Sequence, residues 1–227
     1  MVADKHGVVR TTIALLQDNG YGVAVGVLAA DKLGWPQTCK RFFLVASLDS
    51  ESSDLKDLSE AWTVDAPLPV MDLLCDLEHA EVDELDVMRS VPTLSRENQE
   101  RIEWLFENDA FDLPNEARPD CHKLGTTYLA TYGRMHPDAP APTITGGFLS
   151  PGRGRFIHPT QRRVLTPREA ARIQGFPDWF EFAPNPIEPP SRSEVGRWIG
   201  NAVPSILGFV ATIAALAGSR SSQTGSE

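Results

Sequence analysis

Cysteine is scarce in this chain of 227 residues: there are three, Cys39, Cys75 and Cys121, an odd number with no metal-ligand spacing. That excludes a disulfide scaffold and makes a reducing cytoplasm the expected compartment. Cys75, Glu78 and His79 lie close in sequence, but no second cluster completes a ligand set, so they read as ordinary helix residues and no metal is expected. No secretory leader is recognisable at the start. Long apolar runs are lacking too. The most apolar stretch, Ala202 to Ala217, is short and interrupted by Pro204, Ser205 and Gly208, so a soluble protein with no membrane partner is expected. Positive charge is also in deficit, with 21 Lys and Arg against 31 Asp and Glu and a net charge of −10. Taken as a whole-chain figure, that argues against a polyanionic partner.

The deficit is local. Residues 1–47 carry a net +2, residues 48–120 a net −16 and residues 121–227 a net +4. Between Cys121 and Gly175 eight Lys or Arg stand against two acids, among them Arg153, Arg155, Arg162 and Arg163. Such a stripe suits a phosphate backbone, and equally the solvated face of a loop.

The stretch from Arg163 to Asp178, RVLTPREAARIQGFPD, states its own local structure most fully. Thr166 and Glu169 form a capping box, Pro167 occupies the first helical position, and Gly175 with Pro177 closes the helix. On these signals alone it reads as a well-capped surface helix, with Arg168 and Arg172 on one face. A second capping box, Ser191 and Glu194, opens a helix from Arg192 to Ile199 that Gly200 is expected to break.

Val8 to Asp18 reads as an amphipathic helix ended by Asn19-Gly20. Tyr21 to Ala30 and Arg41 to Ser47 read as strands buried on both faces. Leu48 to Asp120 reads as two or three helices between proline-marked turns at Pro67, Pro69, Pro92 and Pro114, its acidic surface facing away from any DNA. Thr143 to Thr145 reads as a short strand before the permissive Gly146-Gly147, and Pro151 to Arg155 as a flexible loop. Val203 to Leu216 reads as a helix apolar nearly all round and therefore buried, and 219–227 as a disordered tail. Two buried strands and a buried helix need more sheet than these residues supply, so association with a partner is expected.

The segments RVLTPREAARIQGFPD and GRWIGNAVP, at Gly196 to Pro204, resemble in order and spacing the last two motifs of the cytosine-5 DNA methyltransferases. QTCKR at 37–41 resembles the family's Gln-x-Arg-x-Arg pattern, with Cys39 in place of the first arginine. PAPTIT, ending at Thr145, resembles the lead into the penultimate motif. The resemblance covers roughly residues 7–47 and 121–217.

It implies an α/β fold: the C-terminal portion of a Rossmann-like S-adenosylmethionine-dependent methyltransferase plus a small target-recognition domain. Residues 1–47 would be the last strands of the catalytic domain, 48–120 an acidic helical insertion opening the variable target-recognition region, 121–190 a small DNA-facing domain, and 191–218 helices returning to the catalytic domain. Arg41 and Gln37 would line the catalytic pocket, Arg41 contacting the carbonyl oxygen of the target cytosine, where a permanent donor stabilises charge on the ring. A salt-bridged arginine at a strand edge is the alternative. Asn201 and Ala202 would lie beside S-adenosylmethionine. Thr143, Thr145, Arg153, Arg155, Arg163 and Arg168 would face double-stranded DNA.

The family's nucleophile is a cysteine preceded by proline, which attacks carbon 6 of a flipped cytosine. None of the three cysteines here follows a proline, and neither a Glu-Asn-Val motif nor an early glycine-rich cofactor loop is present. The expectation is a C-terminal part or subunit that transfers a methyl group to carbon 5 of cytosine only when an N-terminal catalytic half completes it. A non-catalytic DNA-recognition module and an inactive remnant are the alternatives.

Overall fold

The computed structural model describes residue 4 and residues 7–48, 54–77, 82–123, 130–182 and 188–218. Glu78, His79 and the 219–227 tail lie outside the described residues. Contacts divide the chain into two units. The first draws on residues 1–35, 39–66 and 203–227, the second on residues 36–38 and 67–202.

In the first unit, helix α1 (Val8–Asp18) ends at Asn19, and Gly20, at φ 80°, turns the chain into strand β1 (Tyr21–Ala29). Strand β2 (Lys40–Leu48) pairs antiparallel with it in an unbroken register from Tyr21 opposite Leu48 to Ala29 opposite Lys40. Residues opposite each other share a face, and Ala24, Leu28 and Val45 are buried on one side. Helices α2 (Leu55–Ala61) and α8 (Ser205–Gly218) cover that side. A β-carbon at Gly26 would sit 3.1 Å from the Leu55 Cβ, so a hydrogen is what lets α2 lie close. The Ser47 hydroxyl donates to the Ala215 carbonyl of α8.

The other face corrects the expectation of strands buried on both sides. Val25 is 40% and Val27 51% exposed, because α1, the helix that packs there among the described residues, leaves an open cavity of about 490 Å³ lined by Val9, Ile13, Val25, Val27 and Phe42. Helix α8 is corrected in the same way. Leu207, Val210 and Ala214 form a buried stripe, while Phe209, stacked on Trp62, and Leu216 are more than half exposed. By length and composition Arg192–Ala217 would pass for a membrane-crossing helix. The helical path breaks at Ala202–Pro204, however, and its two parts belong to different units.

The second unit is held by side chains more than by ladders. Among the described residues the acidic interval holds α2, α3 (Met71–Leu74) and α4 (Arg96–Glu107), the last capped by Ser95 and burying Ile102 and Leu105. Helix α2 belongs to the first unit and the other two to the second. A four-residue α5 (Asp120–Lys123) follows. Helices α6 (Pro167–Ile173) and α7 (Arg192–Asn201) pack together over Ile144, Phe148, Phe156, Leu165, Val195 and Ile199.

Both capping boxes form as expected, and Gly175 takes φ 85° after α6. Yet α6 is not a surface helix: Pro167, Glu169, Ala170, Ala171 and Ile173 are buried. Gly200 does not break α7, which runs on to Asn201. Its role is steric, since a β-carbon there would come within 2.0 Å of the Gly146 nitrogen. Thr143–Thr145 forms no strand. Thr143 is half-buried, Ile144 buried and Thr145 exposed.

Candidate functional site

Three stretches far apart in sequence meet at Gln174, the residue after α6. Its Oε1 accepts from Gln37 Nε2 at 2.9 Å, and its Nε2 donates to the Ile199 carbonyl at 2.7 Å and the Ala202 carbonyl at 3.0 Å. Gln37 is fully buried and Gln174 is 2% exposed. Unmade bonds at such depth cost about 1–3 kcal/mol each, so the network fixes the end of α7 against the Gln37 segment. That segment is pinned from the other side. The Thr38 nitrogen donates to the Ala141 carbonyl, the Ala141 nitrogen to the Pro36 carbonyl, and the Thr143 hydroxyl to the Thr38 carbonyl. One oxygen of Gln37, Oε1, is buried without a partner among the described residues.

Beside this network lies a buried charge cluster. Arg163 grips Glu169 with two bonds of 2.6 and 2.8 Å. The Thr166 nitrogen donates to the same carboxylate, and His158 Nε2 stands 3.4 Å away. Nδ1 of His158 accepts from the Thr160 and Gln161 nitrogens, which turns its Nε2 towards Glu169. Burial alone would push the Glu169 pKa up, but the Arg163 guanidinium and then His158 outweigh it and hold the carboxyl at about 2. The cluster locks the lead-in to α6.

The expected site residues fall into distinct situations. Arg41 is half-buried on β2 and donates to the Lys40 carbonyl. Asn201 is exposed at the last position of α7, its side chain making no hydrogen bond to a described residue, while the Ala202 carbonyl is occupied by Gln174. Thr145 and Arg153 are exposed. Arg155 is held by Asp112 at 2.6 Å and by the Phe111 and Arg134 carbonyls. Arg163 is bound to Glu169, and Arg168 donates to the Asp178 carbonyl. Arg172, on α6, pairs with Asp76 and Asp178, which it holds below the usual carboxylate range.

The acidic interval is thus a counter-charge to the basic stripe. Asp76, Glu103, Asp109 and Asp112 pair with Arg172, Arg162, Arg134 and Arg155. Sequence reasoning missed this pairing, and it missed Gln174, whose partners are 25 to 137 residues away. The only signal for Gln174 was its place inside the RVLTPREAARIQGFPD segment.

Residues 1–214 match the C-5 cytosine-specific DNA methylase family. The chain belongs to that family. Type II methyltransferase M1.BsuMI of Bacillus subtilis (strain 168) is similar to it, 42% identical over 211 residues that make up 92% of this chain and 47% of that protein. Type II methylase M.HgiDII of Herpetosiphon aurantiacus is 35% identical over 207 residues, 87% of this chain and 56% of that one. This methylase-family chain therefore spans about half the length of the curated relatives it matches. The Dnmt2 methyltransferase of S. pombe shares its fold, with a TM-score of 0.61 at 16% identity over 95% of this chain and 63% of that structure.

Proposed function

We propose that this chain is the C-terminal part of a DNA (cytosine-5-)-methyltransferase, with the last strands of a Rossmann-like catalytic domain and a small target-recognition domain. The observation that carries the reading is the buried network at Gln174. It ties the Gln37 segment, the α6 segment and the C-terminal end of α7 to one another, and these are the stretches in which the family's motifs are recognisable.

In this reading Arg41 contacts the carbonyl oxygen of the target cytosine, and Thr143, Thr145 and Arg153 face double-stranded DNA. The exposed Asn201 amide offers a donor and an acceptor to S-adenosylmethionine, which supplies the methyl group when bound. Ala202 contributes position only, since its carbonyl already serves Gln174. The nucleophile and most of the cofactor site come from a segment carrying Pro-Cys and Glu-Asn-Val motifs. The half-exposed valines of β1 and the open cavity beneath α1 are apolar surface for that segment to cover. The working compartment in this reading is the cytoplasm.

The test is complementation. The chain is co-expressed with the N-terminal half of a relative such as M1.BsuMI, and transfer of labelled methyl from S-adenosylmethionine to duplex DNA is measured. We expect transfer to carbon 5 of cytosine from the complex and none from the chain alone. Robust transfer by the purified chain alone, or a complex that never methylates, would sink the proposal.

A further inference from the structure

Nine arginines lie between residues 130 and 202. Seven are committed to acids: Arg134, Arg155, Arg162, Arg163, Arg168, Arg172 and Arg192. Arg153 and Arg197 make no side-chain hydrogen bond or ion pair to any described residue, and both are exposed. Arg197 stands one turn beyond Glu194, whose carboxylate is occupied by the Ser191 hydroxyl and nitrogen at 2.7 and 3.0 Å.

These two arginines, 44 positions apart, converge on one turn. A β-carbon at Gly147 would lie 3.0 Å from Arg153 Cγ, and one at Gly146 would lie 3.4 Å from Arg197 Cα. Gly200, one turn along α7 from Arg197, rests directly on the Gly146 backbone with no side chain between. The turn and the helix are therefore packed backbone to backbone, each bringing one unpaired cation. The Gly147 nitrogen donates to no described residue, and Thr145 beside it is exposed. Two guanidinium groups without a hydrogen bond or ion pair to a described residue, Arg197 within electrostatic reach of Glu194 only, flank a partly exposed glycine turn and suit an anion that approaches the backbone closely.

We propose that Arg153 and Arg197, on either side of the Gly146–Gly147 turn, form a phosphodiester-binding site that anchors one strand of DNA. The site rests on the DNA reading above and extends the DNA-contacting surface to α7. Phosphate contacts of this kind fix register and orientation without reading sequence.

The experiment is a fluorescence anisotropy titration of a short labelled duplex with the full chain across a range of salt concentrations. It compares the parent with Arg153→Ala, Arg197→Ala, the double variant, Arg197→Lys and Arg155→Ala. Each single alanine should lower the slope of log K against log salt by about 0.9, and the double by roughly twice that, for any duplex sequence. Arg197→Lys should restore the slope, whereas Arg155→Ala, its guanidinium already held by Asp112, should keep the parent slope. Matching thermal unfolding by circular dichroism shows that the exposed substitutions leave the fold intact.

An Arg197→Ala chain that binds with the parent's affinity and slope overturns the site, and so does a parent without salt-dependent binding. The methyltransferase reading is judged separately, by complementation. A complemented enzyme that methylates DNA with an unchanged KM in the double variant removes this site and leaves that reading standing.

Discussion

Replacing Glu169 with glutamine should destabilise the second unit by about 3 kcal/mol at neutral pH and remove much of its sensitivity to acid. The carboxylate is 2% exposed, gripped twice by Arg163 and once by the Thr166 nitrogen. Its burial opposes ionisation, but Arg163 and His158 prevail and bring the pKa from 4.5 to about 2. Two and a half units at about 1.36 kcal/mol each give roughly 3 kcal/mol of stabilisation. Because the folded pKa is the depressed one, that stabilisation is complete above pH 4.5. It is lost progressively as the pH falls towards 2, with about 2 kcal/mol gone by pH 3.

Glutamine also leaves the Arg163 side chain, 13% exposed, without its counter-charge. Breaking a buried pair from one side costs about 3–5 kcal/mol, so the two routes agree in size. The assay is urea unfolding followed by circular dichroism, at pH 7 and in steps down to pH 3. We expect Glu169→Gln to lower stability at pH 7 and to lose about 2 kcal/mol less than the parent between pH 5 and 3. A variant as stable as the parent at pH 7, or one with the parent's full acid loss, would refute the assignment.

Gly200→Ala should cost at least 2 kcal/mol, because its new methyl would meet the Gly146 nitrogen at 2.0 Å and only backbone movement could relieve the clash. A thermal unfolding midpoint equal to the parent's would contradict this packing. Gln174→Ala should cost about 2–3 kcal/mol by orphaning the Gln37 amide and the Ile199 carbonyl. In the complemented enzyme it should also lower methyl transfer, through displacement of Gln37 and Asn201. Unchanged stability together with unchanged activity would dismiss Gln174 as a hub.

The sequence by itself determined whatever is settled within a few residues. The caps of α6 and α7, the amphipathic α1 with the Gly20 turn out of it, and the existence of strands β1 and β2 were all readable. A capping box closes over three residues, and an amphipathic stripe repeats every three or four, so both are written in the local order of side chains. The family motifs were readable for a different reason, as whole words rather than as physics.

Only the tertiary structure decided which charges are spoken for and which faces are covered. The basic stripe is a composition fact, but Arg172 meets Asp76 across 96 residues and Arg192 meets Glu84 across 108, and no local rule connects such pairs. Among the described residues, Arg153 and Arg197 emerge as the arginines of 130–202 without an ion pair only after the other seven have been matched. Burial behaves in the same way. Apolar strands and an apolar helix show what could be covered, whereas Val25, Val27 and Phe209 stand partly in solvent because the elements that pack around them cover a single side. Gly200 carries the contrast in one residue: propensity makes it a helix breaker, and the backbone of Gly146 against it makes it the one residue that fits.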